Sequence, residues 1–215
     1  MIQKLSLFPL NTVLFPGMPI TLHIFEERYR LLIGRCLEQS APFGVVLIRE
    51  GQEVNSDPTP FFVGTTAQIG DNVRLEDGRY YLVATGQRRF RIQYILQRQP
   101  YIISSISYLS EESGGVVAEA ASQLRACYTR YWNALAAATG HQQPPETPPD
   151  DVIELTYWMA HRLKVGNIHK QRWLEADVAT RLREMTAVIR SELALLPEGD
   201  SNERREGWRG LGSWN

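Results

Sequence analysis

The chain has 215 residues, of which 43% are hydrophobic and 22% are charged, and its formal net charge at pH 7 is −1. These values are typical of a globular protein with one large or two small domains, and the near-neutral charge argues against a general attraction to nucleic acid or to an anionic membrane. The two cysteines, Cys36 and Cys127, lie in different predicted helices, which argues against a disulfide framework and favours a cytoplasmic location.

The first forty residues predict two strands, a tight turn and a helix. Apolar residues around Leu7 precede a second apolar run at residues 13–15, predicted as a short strand, which ends at Pro16-Gly17. A Pro-Gly pair favours a type II turn. From Ile20 apolar and polar residues alternate, as in a half-buried strand. The apolar spacing then changes to that of an amphipathic helix. Its stripe consists of Tyr29, Leu32, Ile33, Cys36 and Leu37.

The middle of the chain predicts further strands. Asp77-Gly78 stands between two apolar runs and favours a type I′ hairpin turn. In the next strand Phe90 and Ile92 alternate with Arg89 and Arg91, which predicts a half-buried strand with one solvated, basic face. Several short strands with turns between them and one helix indicate a compact antiparallel barrel rather than a βαβ sheet.

The composition changes at residues 110–115, a polar stretch that contains two glycines. We place a boundary there, between a barrel lobe at residues 1–110 and a helical lobe at residues 116–196. Four helices are predicted in the second lobe: one ends near Gly140, one begins at a capping box formed by Asp151 and Glu154, and a third begins near Lys170. The fourth carries an apolar stripe and ends at Pro197; the stripe consists of Val178, Leu182, Met185, Ile189, Leu193 and Leu196. The tail, residues 197–215, is polar and contains glycine, which predicts disorder.

Several short motifs follow one another in a fixed order. They are LFPL at residues 7–10, VLFPG at 13–17, HIFE at 23–26 with Arg28-Tyr29, FGVVLI at 43–48, GTTAQI at 64–69, DGRY at 77–80, GQRRFRI at 86–92 and KQRWLE at 170–175. Together they resemble the N-terminal, substrate-binding domain of Lon proteases, with Trp173 in place of the usual leucine. The resemblance implies an α+β fold: an N-terminal PUA-like antiparallel pseudo-barrel with one helix, followed by a C-terminal helical bundle.

Catalytic constellations are not evident in the sequence. Full-length Lon proteases carry an ATPase module and a Ser-Lys peptidase module after this domain, and the chain ends before either is expected. No P-loop motif or G-x-S-x-G elbow is present, and the four histidines lack metal-ligand spacing. We therefore expect no catalytic residue, no metal and no cofactor. An unrecognised enzyme remains an alternative, which requires a pocket with convergent polar groups.

The resemblance implies a non-enzymatic recognition module that holds exposed apolar segments of client proteins, as an adaptor or a chaperone-like factor. Its expected partners are unfolded or flexible segments of other proteins, together with a protease or chaperone system. Trp132 and Trp158 fall beside the apolar stripes of their helices, so they either seal the helical lobe against the barrel or line a peptide-binding groove. Phe61 and Phe62 have the same two interpretations.

Arg88, Arg89 and Arg91 lie close together on one strand and suggest RNA contacts as an alternative function, since some PUA-like proteins bind RNA. The other explanation is structural: the strand face is solvated, and the aliphatic parts of the arginine side chains cover apolar surface. No aromatic residue is interleaved with these arginines on the same face, so we do not expect nucleic acid as a partner. No apolar run reaches the ~18 residues of a membrane helix and no signal peptide is predicted, so no membrane partner is expected.

Overall fold

A computed structural model describes residues 3–53, 57–111, 117–139 and 146–196. Within these ranges the chain forms six strands and five helices. The strands are β1 (Gln3–Leu10), β2 (Pro19–Ile24), β3 (Phe43–Glu50), β4 (Thr59–Arg74), β5 (Tyr80–Gln97) and β6 (Ile103–Tyr108). The helices are α1 (Glu27–Gln39), α2 (Val117–Thr139), α3 (Val152–Arg162), α4 (Asn167–Glu175) and α5 (Val178–Leu195). The predicted order, strands with one helix and then a helical bundle, is confirmed.

The strands form one sheet that closes into a pseudo-barrel. Their order is β2-β5-β4-β3-β1-β6, and an additional pairing of β5 with β6 closes the sheet. Closure depends on β5, which is 18 residues long. Its first residues pair with β2 and β4, and its last residues pair with β6. A single long strand therefore belongs to both ends of the sheet.

One pairing departs from the predicted antiparallel pattern. β1 and β3 run parallel, with Leu7 opposite Gly44 and Leu10 opposite Leu47. Parallel neighbours need a long crossover connection, and the segment that contains β2 and α1 provides it. The apolar stripe predicted for this helix is confirmed: Tyr29, Leu32, Ile33 and Cys36 are buried.

The two predicted turns have different outcomes. The Pro16-Gly17 turn is confirmed, because Gly17 has φ +76° and Met18 N donates to Phe15 O at 3.1 Å. The type I′ turn at Asp77-Gly78 is wrong. Only Gly78 has a positive φ there (+81°), and Gly78 N donates to Leu75 O at 2.9 Å. These features define a type I turn followed by a glycine bulge, which also matches the twist of the flanking strands.

Residues 13–15 were predicted as a short strand, and the structure corrects this. They form an extended segment outside the sheet, although all three side chains are buried. Other groups satisfy the backbone: the hydroxyl of Thr65 donates to Leu14 O at 2.6 Å. Phe15 is fully buried, and its ring centroid lies 6.1 Å from that of Tyr157 in α3. This segment therefore connects the barrel to the helices.

The helical lobe follows the predicted pattern closely. The side chain of Asp151 accepts a hydrogen bond from Glu154 N at 2.8 Å and begins α3, as predicted. α4 begins at Asn167, three residues before the predicted start. α5 buries Val178, Leu182, Met185 and Ile189, as expected from their spacing. Gly140 and the tail at residues 197–215 lie outside the described residues.

Both lobes contribute to one apolar core. It contains buried residues from all four C-terminal helices together with Val13, Phe15, Leu47 and Val63 of the barrel lobe. A second core fills the space between α1 and the sheet, and a third lies inside the sheet around Phe90. Because the largest cluster crosses between the lobes, burial of apolar surface fixes their relative position.

Gly86 provides a test of how closely the Pro16-Gly17 turn approaches β5. A Cβ atom at position 86 would lie 2.3 Å from Phe15 O, a backbone atom that cannot move independently. We expect Gly86→Ala to lower the free energy of unfolding by about 2 kcal/mol or more, as overpacking does elsewhere. Urea unfolding followed by circular dichroism measures this difference.

Gly70→Ala is the matched control for that variant. Gly70 also lies in a paired strand, but a Cβ atom there would meet its nearest neighbour, Val83 O, at an ordinary 3.5 Å. We expect a change within about 0.5 kcal/mol. Equal losses in both variants would show that Gly86 is not a site of special close approach.

Candidate functional site

A cleft of about 640 Å³ lies where the two lobes meet. The Pro16-Gly17 turn and β5 form one wall, the start of α3 forms the other, and the connection after β6 lies between them. The lining residues are Pro16, Gly17, Met18, Gln87, Arg88, Arg89, Leu109, Ser110, Glu111, Pro149, Ile153, Glu154 and Tyr157. The volume is within the usual range for ligand sites in proteins.

Apolar side chains from three separate elements face this cleft. Met18 follows the turn, Leu109 follows β6 and Ile153 lies in the first turn of α3. Each is half-buried and packs on the shared core. Packing against the core restrains each side chain, while part of its apolar surface stays exposed to the cleft. These three residues therefore form a preformed apolar wall.

Backbone hydrogen bonds fix the turn against β5. Gly17 N donates to Gly86 O at 2.8 Å, and Gly86 N donates to Met18 O at 2.9 Å. On the other side of the cleft, Leu109 N donates to Arg89 O at 3.0 Å. β5 therefore holds two of the apolar wall residues in place through its main chain.

A polar network lies at the inner end of the cleft, around the carboxylate of Glu111. Its Oε1 accepts hydrogen bonds from Arg89 Nε and from the hydroxyl of Tyr157, and its Oε2 accepts one from Arg181 Nη2 at 2.7 Å. Arg89 Nη1 also donates to Leu174 O at 2.5 Å and to Ala176 O at 2.9 Å. These bonds join β5, α3, α5 and the α4–α5 connection.

The network contains more positive than negative charge. Arg89 is 5% exposed and Arg181 is fully buried, and they share the single carboxylate of Glu111. The Arg181 guanidinium also lies over the ring of Tyr157, 4.3 Å from the centroid. Burial raises the pKa of the Tyr157 hydroxyl, and the two arginines partly oppose this shift. Tyr157 therefore stays protonated at neutral pH and donates to Glu111.

The face of β5 on which the sequence placed Arg89 is not solvated at that residue. Arg89 lies opposite Thr65 and Arg91 lies opposite Val63 in one regular register, so both side chains are on the same face. The helical lobe covers this face at Arg89, whose guanidinium donates to Leu174 O and Ala176 O, and consecutive residues Arg89 and Phe90 are therefore both buried. Arg88 and Arg91 remain exposed, and the Arg88 guanidinium lies 4.0 Å from the ring centroid of Tyr108. The predicted face of three arginines is therefore corrected to two.

The four aromatic residues predicted for peptide binding lie outside the lining of this cleft. Trp158 is only 6% exposed, packs edge-on against Tyr128 and is covered by Arg162. Trp132 and Phe61 are half-buried against the shared core, whereas Phe62 is 54% exposed. Their role in binding stays a prediction. For Trp158 it would require the helices to separate.

Three residues of the network were not singled out from the sequence: Glu111, Tyr157 and Arg181. For Arg181 a signal was present, because it lies three residues after Val178 and one before Leu182, on the buried stripe of α5. A charged residue on such a stripe indicates a buried partner. Nothing in the local sequence indicated that this partner is Glu111, 70 residues earlier.

Two polar side chains of the KQRWLE motif form hydrogen bonds outside α4. Trp173 replaces the usual leucine of its motif, and its indole Nε1 donates to Glu184 Oε2 at 3.1 Å while the ring is fully buried. The side chain of Gln171 donates to Val63 O at 3.0 Å, from α4 to β4. The buried indole and the amide nitrogen of Gln171 thus both find partners, as buried polar groups generally do, whereas Gln171 Oε1 has none among the described residues.

Searches of the described residues for other kinds of site gave negative results. No group of three or more His, Cys, Asp or Glu side chains in these ranges is arranged to hold a metal ion. No described helix is both long and apolar enough to span a membrane.

The architecture and the motifs agree with one protein family. The family model described as the ATP-dependent protease La (LON) substrate-binding domain matches residues 4–191. The chain belongs to this family. The resemblance inferred from the sequence motifs is thereby confirmed.

Similar curated proteins include two bacterial Lon proteases. The chain is 27% identical to that of Amoebophilus asiaticus over 173 residues, which are 76% of this chain and 20% of the relative. It is 24% identical to that of Brevibacillus choshinensis over 204 residues, which are 90% of this chain and 26% of the relative. The chain therefore spans about a quarter or less of the length of these relatives.

Two solved structures have the same fold. A Lon N-terminal domain protein from Xanthomonas campestris superposes with a TM-score of 0.64 at 26% identity, covering 86% of this chain and 98% of the other. The N-terminal domain of a Lon protease from the Mycobacterium avium complex has a TM-score of 0.63 at 17% identity, covering 89% and 98%. The second match shows the fold alone.

Removing the Glu111 charge tests the network between the lobes. Glu111→Gln leaves two buried guanidinium groups without their carboxylate, and we expect it to lower the free energy of unfolding by about 3 kcal/mol. Arg91→Met, on the exposed face of the same strand as Arg89, is the control and should change it by no more than about 0.5 kcal/mol. Urea unfolding measures both; a Glu111→Gln loss as small as the control would show that the network contributes little.

The N-cap of α5 gives a prediction about pH. Hydrogen bonds from Thr180 N and other groups hold the pKa of Asp177 below its ordinary value. A lowered folded-state pKa means that the carboxylate stabilises the fold above the unfolded pKa and loses this effect as pH falls. We expect Asp177→Ala to cost about 1 kcal/mol at pH 7, with the difference shrinking below about pH 4.

Urea titrations from pH 3 to pH 7 follow this difference between the wild type and the variant. Asp71→Ala is the control, since Asp71 is an exposed strand residue away from any helix start. A cost for Asp177→Ala that does not change with pH would show that the cap acts independently of its charge.

Proposed function

We propose that this chain is a non-catalytic recognition module that holds exposed apolar segments of other proteins in the cleft between its lobes. The observation that carries the proposal is the cleft itself. It combines half-exposed apolar residues, Met18, Leu109 and Ile153, from three separate elements, and polar side chains that include the Glu111 network line much of the rest. The family description, a substrate-binding domain of an ATP-dependent protease, supports the same role.

The energetics of such a cleft suit weak and permissive binding. Each client side chain that covers about 60 Å² of apolar surface gains about 1.5 kcal/mol at 25 cal/mol per Å². Two or three such contacts offset only part of the cost of immobilising a flexible segment. Because apolar burial is non-directional, binding depends less on the exact sequence of the client than on how much apolar side-chain surface the client exposes.

The network around Glu111 supports this function indirectly. It ties β5 to α3 and α5 at the inner end of the cleft, so the two walls stand apart before any client arrives. A preformed cleft loses less conformational freedom on binding than one that must open. We infer that the network keeps the cleft open rather than contacting clients strongly.

The proposed partners are unfolded or flexible segments of other proteins, which expose apolar side chains that folded proteins bury. A protease or chaperone system that receives the held client is the second proposed partner. It is supported by the curated relatives, which are named Lon proteases. The chain would then act as an adaptor or as a chaperone-like factor.

A permanently unfolded protein tests the cleft as the client site. We expect fluorescein-labelled, reduced and carboxymethylated α-lactalbumin to bind, and Met18→Gln or Ile153→Gln to weaken binding about tenfold by removing the gain of ~1.5 kcal/mol per contact. Fluorescence anisotropy measures the dissociation constants. Thermal melts ensure that each variant is folded.

Variants of the aromatic residues distinguish this site from the one predicted from the sequence. Phe62→Ala and Trp132→Ala alter two of those residues, neither of which lines the cleft. We expect them to bind the client within twofold of wild type. Loss of binding in these two variants, with Met18→Gln and Ile153→Gln unaffected, would move the site away from the cleft.

A further inference from the structure

Within the part of the chain that the structure describes, the strand β2 has a partner along only one of its edges. It begins the strand order and pairs with β5, from Pro19 opposite Thr85 to Ile24 opposite Tyr80. Among the described residues no strand pairs with its other edge. An unpaired edge presents backbone donors and acceptors to which another extended chain can add.

The hydrogen-bond pattern shows which residues face that free edge. Gly86 N donates to Met18 O, in the same register that places Leu22 opposite Leu82. In an antiparallel pair every second residue bonds to the partner strand, so Ile20, Leu22 and Ile24 direct their N–H and C=O groups toward β5. Thr21 and His23 therefore direct theirs outward. Pro19, which has no N–H, also falls on the outward side, where proline is tolerated.

A groove of about 220 Å³ runs along this edge. Consecutive residues 21–26 line it, which places it beside the strand rather than on one face of the sheet. Its opposite side includes Phe8 and Leu10 of β1. Both residues pair with β3 along one edge of β1, and both lie beyond the part of β1 that pairs with β6. At about 3.3 Å per residue, the exposed edge offers space for three or four residues of an extended chain.

The groove combines an apolar floor with negative charge. Phe8, Leu10, Leu22 and Ile24 are buried beneath it. Glu26 and Glu53 also line it, whereas no lysine or arginine among the described residues does. Outside the lining, Arg28 pairs with Glu26 at 2.9 Å and Arg98 pairs with Asp57 at 3.3 Å.

The groove residue Tyr29 responds to these charges. Burial raises the pKa of its hydroxyl to about 12, and the carboxylates of Glu26, Glu53 and Asp57 act in the same direction. Arg28 opposes them. Because Arg28 pairs with Glu26 and Arg98 pairs with Asp57, the negative charge of the groove is concentrated at Glu53, whose Oε2 accepts a hydrogen bond from Asn11 N at 3.1 Å.

We propose that the free edge of β2 binds an extended segment of another protein in which apolar and basic residues alternate, and that this segment adds to the sheet as a further strand. Main-chain bonds to Thr21 and His23 would hold the segment, its apolar side chains would cover the floor, and its basic side chains would face Glu26 and Glu53. The site shares no lining residue with the inter-lobe cleft, so it stands independently of the proposed client site. Charge disfavours a second copy of this chain, which would bring four of these carboxylates together.

Amide hydrogen exchange tests the geometry without altering the protein. In the free protein we expect the amides of Thr21 and His23 to exchange at least a hundredfold faster than those of Leu22 and Ile24. Nuclear magnetic resonance resolves the individual rates. Equal protection of all four amides would show that the edge is already covered, and would overturn the proposal.

Synthetic peptides test the chemistry of the occupant. The probe is an eight-residue peptide of alternating valine and lysine, and the control replaces lysine with glutamate. We expect the lysine peptide to bind at least tenfold more tightly at low salt and to slow exchange at Thr21 and His23 at least tenfold. Methylation of alternate peptide nitrogens should abolish binding. Equal affinity of the two peptides, or binding that survives methylation, would overturn the proposal.

A charge variant and its matched control complete the experiment. Glu53→Gln keeps an acceptor for Asn11 N but removes the charge, and we expect it to weaken lysine-peptide binding about fivefold. Glu50→Gln alters an exposed glutamate at the end of β3, outside the groove, and should have no effect. No change in Glu53→Gln would contradict the charge selection. Sedimentation showing a dimer with Thr21 and His23 protected would assign the edge to a second copy and overturn the proposal.

Discussion

The carboxylate of Glu111, shared by two buried arginines, is the constraint on which the arrangement of the lobes depends. Its partners Arg89, Tyr157 and Arg181 come from a strand and from two helices, so no single element supplies the contact. A buried charge pair contributes little net stability compared with apolar packing, but losing one partner is costly. We infer that the network adds to apolar burial by favouring the docking of the helices on the barrel in which all three partners reach Glu111.

The docking of the helices on the barrel also creates the cleft. The shared core brings Phe15 against α3, while the Pro16-Gly17 turn, held to β5 at Gly86, stands away from the helix. The space between them is lined by side chains that are half-buried because they belong to the edge of the core. The proposed recognition surface is therefore preformed, and its apolar side chains, which lie beside a polar network, suit clients that have exposed apolar residues in common rather than a common sequence.

The cleft and the β2 edge would recognise different properties of a bound chain. The cleft offers apolar side-chain contacts, whereas the edge offers main-chain hydrogen bonds beside carboxylates. β2 begins at Pro19, directly after Met18 in the cleft wall. Because the two sites are close together along the chain, one extended protein would be able to bind both. Binding at two linked sites raises the overall affinity even when each contact is weak and no further contact forms.

The sequence by itself determined the family, the order of strands and helices, the α1 stripe and the turn at Pro16-Gly17, because these follow from local periodicity and from backbone restrictions of proline and glycine. It misplaced residues 13–15 and Arg89, since a buried segment outside the sheet and a strand face covered by helices both depend on what packs against them. Only the tertiary structure decided that Glu111 meets Arg181, that Trp158 is covered and that one edge of β2 has no strand partner among the described residues. Each of these is set by contacts between residues distant in sequence, which no local pattern encodes.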